Sequence, residues 1–220
     1  MGTRMGYHMP KPLIPLNQQP AVYYALSAFT SMPGLAQVII PARDELKGEL
    51  EQICKQIEWP QNVRVTIVQG GSERMDSVRA ALGQLMDEVT FVAVHDAVRP
   101  LVEPGMVVKC MEMAFKTGAA MPALPCRDTL KQVHSETIVK TVDRSTLWNG
   151  QTPQCFRRDW LEEGYRKASN TGELATDDAG LVELEHPVTI VKGSSLNLKL
   201  TYPEDIPVAE MIIKHRKKVQ

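Results

Sequence analysis

The residues able to do chemistry fall into a few short groups. The first, Gly2-Thr3-Arg4-Met5-Gly6-Tyr7-His8-Met9-Pro10-Lys11, joins two cations to two glycines and a proline, with no apolar period. Glycines let backbone N–H groups approach an anion, and Arg4 and Lys11 can close on it from two sides. The stretch suits a polyphosphate clamp, though taken alone a frayed basic terminus is the plainer reading. The second, Gly70-Gly71-Ser72-Glu73-Arg74-Met75-Asp76-Ser77, joins an apolar run to a helical one. Glycine-turn N–H groups backed by a helix N-terminus suit a nucleotide or its phosphates, with Ser77 as a donor; an ordinary turn capped by Ser72 is the plain alternative. The third, His95-Asp96-Ala97-Val98-Arg99-Pro100, places a carboxylate at the end of an apolar run. That suits a divalent metal or sugar hydroxyls, with Arg99 either part of the site or a brace for Asp96. Further hydroxyls and charges lie in Thr141-Val142-Asp143-Arg144, Gln151-Thr152-Pro153-Gln154, Thr176-Asp177-Asp178 and residues 197–205. Thr176-Asp177 also suits a helix cap. Lys199, between Leu198 and Leu200, faces away from both, toward solvent or a cleft.

The elements that must position these groups alternate along the chain. Residues 21–29 follow Pro20 as a helix, and 35–40 form a mostly buried strand ended by Pro41. Residues 44–57 place Leu46, Leu50, Ile53 and Ile57 on one helical face. A strand at 63–68, a helix at 72–86, a strand at 89–94, a helix at 105–116 and a strand at 119–124 follow. This repetition implies an α/β fold: a Rossmann-like, mainly parallel sheet with helices on both faces, and ligands outside the carboxyl ends of its strands. Residues 125–146 break the pattern as a β-hairpin, 129–133 and 137–142 around His134-Ser135-Glu136. Too little apolar surface supports it alone, so a second subunit is its expected support. A helix at 158–168, a short helix after Asp178, strands at 188–191 and 197–201, and a helix from Pro203 through Ile213 complete the chain. That last helix ends in the solvated run Lys214-His215-Arg216-Lys217-Lys218.

Length and composition bound the function. The 220 residues suit one domain, 1–220, with an arm at about 125–146. The 25 basic and 26 acidic residues nearly cancel, which argues against a general nucleic-acid or membrane surface while leaving room for a local basic pocket. Cys54, Cys110, Cys126 and Cys155 are scattered without metal spacing and suit reduced, mostly buried thiols. No apolar run approaches the ~18 residues of a membrane span. The start carries no secretory pattern, and Gly6 stands where myristoylation needs Ser or Thr. A cytoplasmic protein is expected.

Taken in order, Gly2-x-Arg4-Met5…Pro10-Lys11, Gly70-Gly71-x-x-Arg74-x-x-Ser77-Val78, His95-Asp96-Ala97-x-Arg99-Pro100 and Asp128-Thr129-Leu130-Lys131 are followed by Thr141-Val142-Asp143-Arg144, Leu147-Trp148, Gln151-Thr152-Pro153-Gln154, Thr176-Asp177-Asp178 and Asn197-x-Lys199-x-Thr201. The set resembles the 2-C-methyl-D-erythritol 4-phosphate cytidylyltransferase family over about residues 2–214. The resemblance implies an enzyme that joins CTP to that polyol phosphate, releasing pyrophosphate, in the non-mevalonate route to isoprenoids. It implies Mg²⁺ and a homodimer built through the 125–146 arm. It implies that Arg4 and Lys11 stabilise the transition state, with Gly2 beside them at the nucleotide, and that Arg144 and Lys199 position the sugar phosphate. Asp96, Ala97 and Arg99 match a ribose, metal and substrate-hydroxyl cluster, with Asp96 the metal ligand. Gly71, Ser72 and Ser77 fall where the cytosine is read. Thr129, Thr152 and Thr176 match hydroxyls near the sugar phosphate, Thr129 and Arg144 reaching in from the partner subunit.

One departure accompanies the resemblance. Family members carry an apolar strand ending in Ala-Ala-Gly ahead of the motif at Gly2–Met5, central in the sheet, and no such strand precedes it here. An open apolar slot and unpaired backbone are expected in its place. A ribitol 5-phosphate cytidylyltransferase and an inactive relative serving as a binding module are the competing expectations.

Overall fold

The computed structural model describes residues 9–171 and 175–219. After a 3-10 turn at Lys11–Leu13, β1 (Pro15–Leu16) and β2 (Gln19–Pro20) form a two-residue ladder. Asn17 and Gln18 turn between them with φ of 45° and 79°, and the Asn17 side chain donates to the Glu210 carbonyl at 2.8 Å. Then come α1 (Ala21–Ser27), β3 (Gln37–Ala42), a 3-10 turn at Asp44–Leu46, α2 (Lys47–Lys55), β4 (Arg64–Gln69), α3 (Arg74–Leu82) and β5 (Phe91–Val94). These are followed by α4 (Pro104–Thr117), β6 (Ala119–Pro125), β7 (Leu130–His134), β8 (Thr137–Val142), β9 (Trp148–Gly150) and β10 (Gln154–Arg157). The chain continues with α5 (Arg158–Thr171), α6 (Ala179–Val182), β11 (Thr189–Lys192) and α7 (Asp205–Val219).

The main sheet runs β11-β6-β10-β5, with β9 also on β6. Only β11 and β6 pair in parallel; β10 is antiparallel to both neighbours, and β9 to β6. The sheet is therefore mixed, which corrects the mainly parallel expectation. The cause is β9–β10, which sequence treated only as a polar cluster. Because β11 occupies one edge of β6, β9 and β10 share the other, and Gln151-Thr152-Pro153 steps out of the sheet between them. β3 and β4 form a separate parallel pair.

Side-chain alternation explains the core. Ala119, Met121 and Phe156 face α3, α5 and α6, whereas Ala120 and Cys155 face Cys110, Met111 and Ala114 of α4. Fully buried Phe156 alone contributes about 1.5–3 kcal/mol by removal from water. Gly118 closes α4 at φ 91°, and a Cβ there would stand 2.1 Å from the Trp160 ring, so only glycine lets α5 pack this close. On the other end of the molecule, Leu200, Ala209 and Ile213 join Ile14, Leu16, Ala21 and Leu101.

Three further expectations are corrected. Residues 197–201 form no ladder, although Leu200 is buried and Lys199 points away, as the alternation implied. β3 extends through Pro41, which is tolerated because its missing N–H falls on the edge away from β4. The last helix runs through Val219, and Arg216 in its basic run bonds Leu101 O at 3.0 Å and Glu103 at 2.8 Å. The β7–β8 hairpin projects with Val133, Ile138 and Val139 each more than half exposed.

Candidate active site

The site gathers at the carboxyl end of β5. The partly buried β5 delivers Asp96 there, and burial of the carboxyl works to raise its pKa. Lys199 Nζ at 2.8 Å, Arg74 Nε at 3.4 Å and Arg99 Nε at 3.8 Å outweigh that and hold the carboxyl below its usual value. Each cation comes from a different element. Arg74 opens α3, whose capping box pairs Glu73 with Asp76. Arg99 follows β5 and donates to Asn197 O at 2.8 Å and Gly150 O at 3.4 Å. Lys199 sits on the extended segment whose Leu198 and Leu200 anchor in the core.

His95 fixes the loop from below. Its Nε2 lies 3.1 Å from Arg99 O, which can only accept, so Nε2 carries the proton. Burial pulls its pKa down to about 4, leaving a neutral ring whose Nδ1 accepts from Thr152 Oγ1 at 2.9 Å. Thr152 Oγ1 in turn accepts the Asp96 N–H at 3.1 Å. Thr152 therefore ties the β9–β10 step to β5, and Asn197 Nδ2 bonds its carbonyl at 3.0 Å.

A second carboxylate stands behind Arg74. Asp178 is fully buried and accepts from Arg74 Nη2 at 2.5 Å and Tyr165 Oη at 2.6 Å. Burial alone would lower the Arg74 pKa; the bond to Asp178 and the nearby Asp96 carboxylate raise it instead. Next to it, Gln154 donates to Asp177 at 2.6 Å and accepts from Ala179 N at 2.9 Å. The resulting cavity, about 230 Å³, is lined by Arg74, Asp96, Arg99, Thr152, Thr176, Asp177 and Lys199 among others.

Of the residues expected from sequence, Asp96, Arg99, Thr152, Thr176 and Lys199 thus converge. Lys11 stands close by, its Nζ on Thr201 O at 3.1 Å. Ala97 packs in the apolar cluster of Leu13 and does not line this cavity. Gly71 and Ser72 turn into α3: Gly71 N donates to Ser77 Oγ at 3.1 Å, Ser72 Oγ to Asp76 at 2.9 Å, and a Cβ on Gly71 would lie 2.1 Å from that of Asp76. Thr129 and Arg144 do not line this cavity; both are exposed on the arm, where Arg144 bonds Arg127 O. Gly2 and Arg4 lie outside the described residues. Sequence reasoning quoted Arg74, Gln154, Asp177 and Asp178 without assigning them these bonds. The signal for Arg74 was its place one step into a helix that a glycine turn aims at the β5 end.

Comparison with known proteins adds an independent line. The family model for 2-C-methyl-D-erythritol 4-phosphate cytidylyltransferase (IspD) matches residues 1–215. The enzyme of that name from Bacillus velezensis is 37% identical over 97% of this chain and 91% of its own length. The chloroplastic one from Oryza sativa is 35% identical over 98% of this chain and 72% of its own. The crystal structure of the Thermus thermophilus cytidylyltransferase superposes with a TM-score of 0.76 at 31% identity, covering 93% of this chain and 94% of that one. None of these favours the ribitol phosphate alternative. From its motifs, its fold and these similarities, the chain belongs to the 2-C-methyl-D-erythritol 4-phosphate cytidylyltransferase family, a nucleotidyltransferase of isoprenoid biosynthesis.

Proposed function

We propose that the cavity around Asp96 seats the methylerythritol phosphate while Lys11 and Arg4 close on the CTP phosphates and the Gly71–Ser72 turn reads the cytosine. A phosphate-monoester oxygen of the sugar attacks the α-phosphorus of CTP. The new P–O bond forms as the bond to the β-phosphate breaks, and pyrophosphate leaves. The nucleophile is already anionic and needs no general base; His95, neutral and bonded on both nitrogens, is not free to act as one. The obstacles are repulsion between two anions and charge growing on the leaving oxygens, so catalysis is positioning plus fixed positive charge. Lys199 orients the sugar phosphate, with Arg144 and Thr129 arriving on the arm of a second subunit. Lys11 and Arg4 stabilise the transition state. Thr152 and Thr176 hold sugar hydroxyls or phosphate, Asp96, Ala97 and Arg99 the ribose and substrate hydroxyls, and Gly71, Ser72 and Ser77 the cytosine. Homodimerisation and a cytoplasmic setting belong to the same reading.

The donor set fits Mg²⁺. Asp96 offers an ionised hard oxygen, and a single carboxylate with substrate phosphates is an ordinary Mg²⁺ environment. Among the described residues no group of three acids, histidines or cysteines forms a dedicated cage. When bound, the ion supplies charge neutralisation on the phosphate oxygens.

The observation that carries the proposal is the meeting of Lys199, Arg74 and Arg99 on one carboxylate. Pyrophosphate release from CTP and 2-C-methyl-D-erythritol 4-phosphate tests it. Lys11→Ala and Lys199→Ala should each lower turnover by about 10²–10³. Parental rates in both variants would refute the roles given.

A further inference from the structure

Asn197 has no exposure and does not line the cavity around Asp96, so it cannot touch a substrate bound there. Its bonds nevertheless reach the elements that build the site. Nδ2 donates to Thr152 O at 3.0 Å, on the step between β9 and β10. Its carbonyl accepts from Arg99 Nη1 at 2.8 Å, on the loop after β5. Its N–H donates to Ser194 O at 3.1 Å. Gln151 holds Ser194 from both sides, Nε2 donating to its carbonyl at 2.8 Å and Oε1 accepting its N–H at 3.2 Å. Lys199 stands two residues further on.

The orientation of the amide is fixed, because Thr152 O can only accept. Oδ1 then has no hydrogen-bond partner among the described residues. Burying an unpaired carbonyl oxygen costs stability that an apolar side chain of similar volume would keep. Packing alone therefore does not call for asparagine here. What the amide supplies is placement. On one side of Lys199, Asn197 fastens the segment to Thr152. On the other, Leu200 is buried and its N–H donates to Val98 O at 2.8 Å. Lys199 is held between these two points with its Nζ 2.8 Å from Asp96. Thr152 Oγ1 meanwhile accepts the Asp96 N–H at 3.1 Å. The lysine and its counterion are thus both tied to Thr152, and the Asn197 amide is the tie on the lysine's side. Lys11, on Thr201 O, has a separate support, since Thr201 N donates to Asp205 at 2.7 Å.

We propose that Asn197 is a positioning residue for the polyol phosphate, acting through Lys199 without touching substrate. The inference rests on the assignment of the Asp96 cavity to that substrate. Loss of the amide lets the Lys199 segment drift from the β9–β10 step, so the sugar phosphate meets a misplaced cation. The CTP side, supported through Asp205, is left in place.

Asn197→Ala should lower kcat/KM for 2-C-methyl-D-erythritol 4-phosphate about tenfold and leave KM for CTP within about twofold. In a Lys199→Ala background the same change should cost less than about twofold, because the group it positions is gone. Asn197→Ser, too short to reach Thr152 O but still polar, should give the same pattern if the alanine chain folds poorly. Met106→Leu removes only the longer Nδ2 contact, to Sδ at 3.7 Å, and should match the parent. A second measurement does not read activity. Trace acetylation by acetic anhydride at Lys199, relative to exposed Lys116, should run about threefold faster in the Asn197 variants, as the lysine leaves Asp96 more often. A parent chain that releases no pyrophosphate would overturn the reaction assigned above. With an active parent, equal KM rises for both substrates, full additivity with Lys199→Ala, or an unchanged acetylation ratio would overturn the role of Asn197 alone.

Discussion

Asp178→Asn separates a structural carboxylate from a shape-filling one. The side chain has no exposure and two short bonds, from Arg74 at 2.5 Å and Tyr165 at 2.6 Å. Asparagine keeps the volume but removes the charge and turns one acceptor into a donor, which faces either the guanidinium or the phenol. Breaking a buried ion pair costs about 3–5 kcal/mol. The Arg74 side chain is 36% exposed, so water recovers part of its solvation and the low end, about 3 kcal/mol, applies. At a typical slope this moves the urea midpoint down by roughly 1–2 M. Arg74 also braces Asp96, so kcat/KM for pyrophosphate release should fall about tenfold in protein that remains folded, roughly 1.4 kcal/mol of transition-state stabilisation. Tyr165→Phe is the control: it loses one bond to a carboxylate that keeps its ion pair, about 1.5 kcal/mol. An Asp178→Asn midpoint within error of the parent, or a Tyr165→Phe loss as large as that of Asp178→Asn, would refute this account of Arg74.

Three further outcomes are expected. Because the folded His95 ring titrates near 4 and an unfolded histidine near 6.5, the unfolded chain binds more protons between those values, so stability falls as pH drops through that window. The loss at pH 5 is about 2 kcal/mol, and urea titrations of His95→Gln should show a pH 7 to 5 drop smaller by that amount; an unchanged drop removes His95 as the cause. Gly71→Ala should lower the thermal midpoint, since its Cβ collides with Asp76, whereas Gly48→Ala, with open space around it in α2, should raise it. Equal shifts in the two would contradict the turn geometry. If Arg144 serves the partner's site, mixing inactive Arg144→Ala and Lys199→Ala chains restores one intact site per heterodimer, about a quarter of parental activity on random exchange. No recovery in subunits shown to exchange would place Arg144 in its own chain's site.

The elements that formed as expected were those whose apolar runs exceeded about five residues or repeated at helical spacing, such as β4 and α4. β9 and β10 were illegible for a physical reason. Trp148-Asn149-Gly150 is short and exposed, and Gln154-Cys155-Phe156-Arg157 alternates only with respect to two partner strands far away in sequence. Asp96, Arg99 and Lys199 were legible because charges beside buried apolar residues mark a polar face. Asp178 was not, since an acid before a short helix suggests a cap. In the structure it makes no cap bond, its carboxylate being committed to Arg74 and Tyr165.

The cluster on Asp96 also bears on which anions the cavity admits. Lys199, Arg74 and Arg99 would repel one another if left bare, and Asp96 acts as a built-in counterion that keeps them at bonding distance before any substrate arrives. A singly charged anion entering the cavity meets cations already partly neutralised and gains little by competing. A multiply charged phosphate should compete better for Lys199, the most exposed of the three, against Asp96. By this reasoning the carboxylate should act as a valence filter, with chloride binding weakly in the cavity and phosphate esters strongly.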